Sequence, residues 1–248
     1  MADKSIIFSA PIVRALLDGR KTQTRRLLKP KGGLPAPVNL AAHGVGTYSG
    51  EHSDPASWGW PFAEDGSDAS LALFPDLSGY APGDRLYVRE AWRPHYLGDY
   101  VWNLDVTYAA DGELRTILDG EFGEGDWKWP KAADRGNVPS IHMPRWASRM
   151  WLEVTDVRVQ RAQEISEADA RAEGLVEYSL EGPGGMTLPC WHWLLGMDDD
   201  ELYTSAVAAF RALWNSLHTT EGGRWQDNPW IVAISFKVHA GNIDGSQA

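Results

Sequence analysis

The most regular stretch of this chain is Met150 to Val159. Met150, Leu152 and Val154 alternate there with Trp151, Glu153 and Thr155, and Val157 and Val159 prolong the run in the opposite phase. Strand side chains alternate with period two, so the run predicts a β-strand. Weaker strand signals surround it. Ile6-Ile-Phe8 reads as a short buried strand, and Arg85-Leu-Tyr-Val-Arg-Glu-Ala-Trp92 follows a turn at Pro82-Gly-Asp84. Asp111-Gly112 separates Val106-Thr-Tyr108 from Leu114-Arg-Thr-Ile117 as a hairpin turn would. Trp230 to Val238 is the closing strand. These strands are too few and too scattered for a doubly wound parallel sheet, and no glycine-rich phosphate loop accompanies them. The expectation is an α+β chain built on a small closed or partly closed β-barrel with peripheral helices.

Helix signals are few. Ser9 and Pro11 start one, with Ile12, Val13, Leu16 and Leu17 on one face and Gly19 as its stop. Thr22 to Leu28 then looks extended, up to Pro30. Ser166-Glu-Ala-Asp169 has capping-box spacing and opens a short helix ended by Gly174. Asp198-Asp-Asp-Glu201 precedes a third helix running to Leu217, its acids at the positive end of the dipole. Lys31 to Tyr80, Gly120 to Pro139 (with Trp127 and Trp129) and Glu177 to Leu195 read as loops. One domain over 1–240 is expected, with a disordered polar tail over 241–248.

With 23 Lys plus Arg against 34 Asp plus Glu, the net charge of −11 opposes a role in coating nucleic acid through general phosphate neutralisation. No apolar run is long enough to span a bilayer and no secretory leader is evident, so no membrane partner is expected. A single cysteine, Cys190, excludes an internal disulfide and a multi-thiolate metal site, and a reducing cytoplasm is the expected home. The seven histidines lack metal-ligand spacing, so neither metal nor cofactor is expected. Thirteen tryptophans offer flat faces; most would fill core and loop packing, while one or two could stack on a nucleobase.

Against this acidic background Gly19-Arg-Lys-Thr-Gln-Thr-Arg-Arg26 stands out. Arg20, Lys21, Arg25 and Arg26 place four cations in seven positions, beside the hydroxyls of Thr22 and Thr24. Such a run is often a solvated strand face. Crowded cations also disfavour one another's protonation, so Lys21 could serve as a base for a neighbouring hydroxyl, while guanidinium groups suit an anionic transition state or a phosphate. In a regular strand Lys21 and Thr24 point to opposite faces; pairing them requires Lys21 to lie in the turn after Gly19, or a bulge. Further candidates are Glu173 at its helix end, Arg89-Glu90-Ala-Trp92, and the two arginines of Pro144-Arg-Trp-Ala-Ser-Arg149. Cys190-Trp-His192 is read as a loop feature.

The basic run resembles the motif of the ASCH domain family, which belongs to the PUA-like β-barrels. The similarity continues in order through Pro82 to Trp92, Trp151 to Val157, Ile165 to Gly174 and Trp230 to Val238, somewhat under half the chain. Met143 to Arg149 resembles longer ASCH proteins of phages and bacteria. Within the family, small N4-acetylcytidine amidohydrolases cleave the exocyclic amide of the modified base without metal. The resemblance implies Lys21, Thr24 and Glu173 as catalytic residues. Arg26 is implied as a substrate- or oxyanion-binding group; Arg20, Glu90 and Trp92 are added to that set as candidates, Trp92 for stacking on the base. Against the small enzymes the chain carries insertions near 31–80, 93–145 and 176–228. The expected substrate is a small modified nucleoside; an RNA-binding module and, more remotely, a ribonuclease are the competing expectations.

Overall fold

The computed structural model describes residues 3–28, 38–39, 58–61, 71–73, 79–95, 103–118, 131–192 and 202–245. In chain order its first elements are β1 (Asp3–Ile7), α1 (Ala10–Leu17), β2 (Gln23–Leu27), β3 (Val38–Asn39), β4 (Trp58–Pro61) and β5 (Leu71–Leu73). Next come β6 (Arg85–Arg89), β7 (Trp92–His95), β8 (Asn103–Tyr108), β9 (Leu114–Leu118) and β10 (Met150–Arg161). The last are α2 (Glu167–Ala172), β11 (Val176–Glu181), β12 (Thr187–His192), α3 (Ala206–Leu217) and β13 (Trp230–Ala240). The fold is mixed α+β, mostly strand, and among the described residues none of the sheets closes into a barrel.

The chain divides into two compact units: Met1–Gly19, Gly83–Glu153 and Lys237–Ala248 form the first, and Arg20–Pro82 with Val154–Phe236 the second. In the first unit β1 runs parallel to β6, with Ile6 opposite Val88, and β6 pairs antiparallel with the start of β10, Leu86 opposite Leu152. Ile6, Leu86, Val88 and Leu152 are buried there, as are Val13, Ala15 and Leu16 of α1. Ser9 and Pro11 start that helix as expected, and Gly19 at φ +70° ends it. The expected strand Arg85–Trp92 is broken. β6 stops at Arg89 and β7 begins at Trp92, which joins the separate sheet β7-β8-β9. The buried Glu90 sits at the break, continuing the buried side of the alternation after Leu86 and Val88, and meets Arg149 there. Val106 and Tyr108 of β8 and Ile117 of β9 build a second core with Trp92, Met143 and Trp146. The Asp111-Gly112 turn joins β8 to β9, Gly112 taking φ +77° and donating its N–H to the Tyr108 carbonyl at 2.8 Å.

The expected disordered tail is corrected over residues 241–245. Ile243 is fully buried, and the Asn242 amide donates to the carbonyls of Arg145, Trp146 and Ser148. One apolar anchor and one amide hold a segment that is otherwise polar enough to look unstructured.

In the second unit β13 pairs antiparallel with β2, setting Ile234 opposite Thr24, Ala233 opposite Arg25 and Val232 opposite Arg26. α3 is capped by Ser205, whose hydroxyl accepts from the Ala208 N–H, and packs Phe210, Leu213 and Trp214 into a core with Ala170, Leu175, Trp191, Trp225 and Ile231. The acids expected to precede it, Asp198 to Glu201, lie outside the described residues, as do Lys31–Pro37, Trp127 and Trp129. The expected loop over 177–195 is in part a hairpin: β11 pairs with β12 from Val176–His192 to Glu181–Thr187, turning at Gly184 and Gly185 with φ near +78° and +79°. Its side chains are largely exposed at the turn end, so apolar periodicity was too faint to mark it. Likewise β3, β4 and β5 form a short three-stranded sheet inside the stretch read as loop. Cys190 is buried on β12, its thiol 3.5 Å from the Tyr178 carbonyl.

Candidate functional site

A helix end and the residues before a strand bring Lys21 and Glu173 together within the second unit, while Thr24 follows on the strand itself. β2 starts only at Gln23, so Lys21 lies just before the strand, its ammonium reaching the same carboxylate as Arg25 of the strand. It makes a single antiparallel bridge with Glu173. The neighbouring backbone is pinned on both sides: the Thr22 N–H donates to the Ala172 carbonyl at 2.8 Å, and the Phe236 N–H to the Thr22 carbonyl at 2.9 Å. Facing it, the Ser166 hydroxyl accepts from the Asp169 N–H and starts α2. Six residues later the helix stops. Glu173 is its C-cap residue, with Gly174 at φ +98° turning the chain away.

Around Glu173 the geometry is dense. The Lys21 ammonium donates to Glu173 Oε2 at 2.6 Å and to the Glu173 backbone carbonyl at 2.9 Å. Arg25 Nη1 donates to the other carboxylate oxygen, Oε1, at 2.9 Å. Arg25 Nη2 lies 3.4 Å from Asp169 Oδ2, and Arg158 donates to Asp169 Oδ1 at 3.2 Å. Lys21 and Glu173 side chains are 2% and 4% exposed, so this is an interior ion pair. Removing such charges from water costs several kcal/mol apiece, and only close, well-bonded partners offset it.

Electrostatics follow from that burial. Desolvation pushes the Lys21 amine below the ordinary lysine range; Glu173 pulls it back up, while Arg26 and Arg25 push it further down. Burial likewise lowers the Arg26 guanidinium, against the pull of Tyr80 and Glu173. For Asp169 burial works upward, but the Gln23 hydrogen bond and the charges of Arg158 and Arg25 outweigh it, holding the carboxyl below its usual range.

Thr24 is buried on β2. Gln23 and Arg25 share a strand face and touch at 3.3 Å, so alternation puts Thr24 and Arg26 on the other face. Arg20 donates to the Gly174 carbonyl, tying the basic run to the turn after Glu173. Glu90 and Trp92 belong to the first unit and have partners there. Arg149 grips Glu90 through two bonds, Nε to Oε1 at 2.8 Å and Nη2 to Oε2 at 2.9 Å. Trp92 is 1% exposed, edge-on to Trp146 with ring centroids 5.7 Å apart, so neither face of its indole is open to a base.

Two residues of the cluster are not among the sequence candidates for the site: Arg25, which reads as one member of a basic run, and Asp169, which reads as a capping residue. The signal was present. Asp169 and Glu173 are four apart, on one helix face, and Gln23 and Arg25 are two apart, on one strand face. No family model, curated protein or solved structure matches this chain.

Proposed function

We propose that the second unit carries a metal-independent amidohydrolase site that removes acyl groups from the exocyclic amine of N4-acylated cytosine nucleosides, on a framework of the ASCH, PUA-like kind. The carrying observation is the 2.6 Å contact between the Lys21 ammonium and the Glu173 carboxylate, two groups singled out by the family resemblance. Amide hydrolysis needs a base, a nucleophile, an acid for the leaving amine and a donor for the oxyanion. A lysine with lowered basicity suits the first task. Neutral Lys21 takes the proton of the attacking hydroxyl, from Thr24 or from water, as the new C–O bond forms and the carbonyl electron pair moves onto oxygen. When the C–N bond breaks, its electron pair stays on the cytosine nitrogen and Lys21 returns the proton there. If Thr24 attacks, water repeats the cycle to free the acid. Arg26 is the proposed oxyanion donor.

The competing picture, an RNA-binding module gripping phosphates through Arg20 to Arg26, is served less well: Lys21 and Arg25 are buried against carboxylates rather than presented to solvent. The test is release of cytidine from N4-acetylcytidine by the full chain. Lys21→Ala and Glu173→Ala are expected to lower the rate roughly a hundred- to ten-thousand-fold. Inactivity of the unaltered protein toward a series of acyl chains rejects the proposal, and salt-sensitive RNA binding weakened by Arg26→Ala would favour the alternative.

A further inference from the structure

Arg25 does something more specific than add to a basic run. Its Nη1 bonds one Glu173 oxygen at 2.9 Å while the Lys21 ammonium bonds the other at 2.6 Å, so each oxygen of the carboxylate has its own cation. The other end of the guanidinium faces Asp169, one helical turn earlier, and Asp169 is itself held by Arg158. The group lies over the Phe210 ring, 5.7 Å from its centroid, with a side chain only 1% exposed. A carboxylate can swing about its terminal torsion; a planar guanidinium bonded to Oε1, paired with Asp169 and set beside an aromatic ring restrains that swing. Fixing Oε1 therefore fixes where Oε2 points.

We propose that Arg25 is a positioning residue: it clamps Glu173 through Oε1 so that Oε2 is turned to Lys21, leaving Lys21 alone to carry the proton from nucleophile to leaving amine. The proton's itinerary rests on the amide-hydrolysis reading; the clamp is a property of the resting protein. In that cycle Glu173 neither gains nor loses a proton, because both its oxygens already accept from cations. The nucleophile's proton moves to Lys21 Nζ and then to the cytosine nitrogen, and the books balance without a second acid.

Among the described residues, the charges that act on Lys21 are Glu173 at the end of α2 and Arg25 and Arg26 of β2, with Asp169 behind Arg25 and Arg158 of β10 behind Asp169. Deleting Arg25 has two opposed effects on Lys21: a repelling cation goes, which favours the ammonium, and Oε2 is no longer held toward it, which disfavours the ammonium. A substitution that keeps the charge isolates the second effect.

NMR of the full chain with isotopically labelled lysine side chains reads this directly, Lys21→Met identifying the resonance. Arg25→Lys, which keeps the charge but gives up the fork, is expected to lower the Lys21 midpoint by about one pH unit. Arg25→Gln, which also removes the cation, is expected to leave it higher than Arg25→Lys does. A midpoint that stays or rises in folded Arg25→Lys overturns the proposal; should that variant fail to fold, Phe210→Leu, which loosens the ring beside the guanidinium and leaves every charge in place, decides by the same sign. Because no substrate is involved, the two readings fail separately. A lowered midpoint without hydrolysis of any acylcytidine keeps the clamp and removes the enzyme; hydrolysis with an unmoved midpoint does the reverse. If hydrolysis is found, the limb of its pH profile that needs neutral Lys21 should move by the same amount and in the same direction.

Discussion

Lys21 meets Glu173 twice, its ammonium bonding both the carboxylate and the backbone carbonyl of a residue 152 positions away. The double contact couples the ionic pair to the end of α2. Lys21 therefore reports on that helix turn as well as on the charge, and replacing either partner has unequal consequences.

Glu173→Gln leaves two buried cations, Lys21 and Arg25, without their shared anion. Leaving a buried charge uncompensated costs about 3–5 kcal/mol. Lys21→Met keeps Glu173 paired with Arg25 and fills similar volume, so a clearly smaller loss is expected. Urea unfolding of the two variants checks the order; equal losses would mean that Arg25 contributes little to holding Glu173.

Lys21 also gives stability a pH dependence. Its amine is depressed in the folded chain relative to the ordinary value of 10.5, so the unfolded chain binds more protons between the two. Stability should therefore rise with pH through the window from the folded value up to about 10.5. The penalty is fully present below that window and gone above it. Thermal unfolding across alkaline pH, compared with Lys21→Met, isolates the contribution; an identical slope in the variant would contradict it.

How far the sequence foretold this architecture differs from element to element. β10, the Asp111-Gly112 hairpin and the Ser9 and Ser166 helix starts were legible because each rests on local chemistry: alternation, a positive φ at glycine, a proline in the first turn after Ser9 and a hydroxyl cap at Ser166. The β11–β12 hairpin was not, since its exposed side chains carry no apolar rhythm. Glu90 looked like a strand-end acid, and only the fold could bring Arg149, 59 residues later, against it. The approach of Lys21 to Glu173 was likewise beyond pattern and is implied only by a family resemblance, whereas the spacing of Asp169 to Glu173 and of Gln23 to Arg25 marks shared faces without saying that the two faces meet.

The Glu90–Arg149 pair in the first unit is a structural ion pair, and its neighbourhood predicts a titration. Arg149 lies 4.1 Å from the Tyr108 ring centroid, and the phenol is fully buried, donating to the Ala147 carbonyl at 2.9 Å. Burial pushes Tyr108 up to about 12, only partly opposed by Arg115 and Arg149. Ultraviolet titration should show one late phenol that Tyr108→Phe removes. Its ionisation in the ordinary tyrosine range would contradict the buried placement.

Gly112 tests the first unit's hairpin. At φ +77° a side chain is strained, yet an added Cβ meets nothing within 4 Å. Gly112→Ala should therefore cost about 1 kcal/mol through backbone strain alone, and Gly112→Asn less, because asparagine tolerates the left-handed region. Equal losses for the two, measured by denaturant unfolding, would point to a clash instead.

The central claim is that buried Lys21 and Glu173 form a proton-handling site for an acylated cytosine. Timed product analysis of N4-acetylcytidine with the unaltered chain, Lys21→Ala, Glu173→Ala and Thr24→Ala tests it most directly. The account predicts cytidine and acetate from the unaltered chain and a collapse of the rate without Lys21 or Glu173, the Thr24 variant separating hydroxyl attack from water attack. Cytidine release that persists at full rate in the folded Lys21 and Glu173 variants, or none from the unaltered chain with any acyl group, would contradict it.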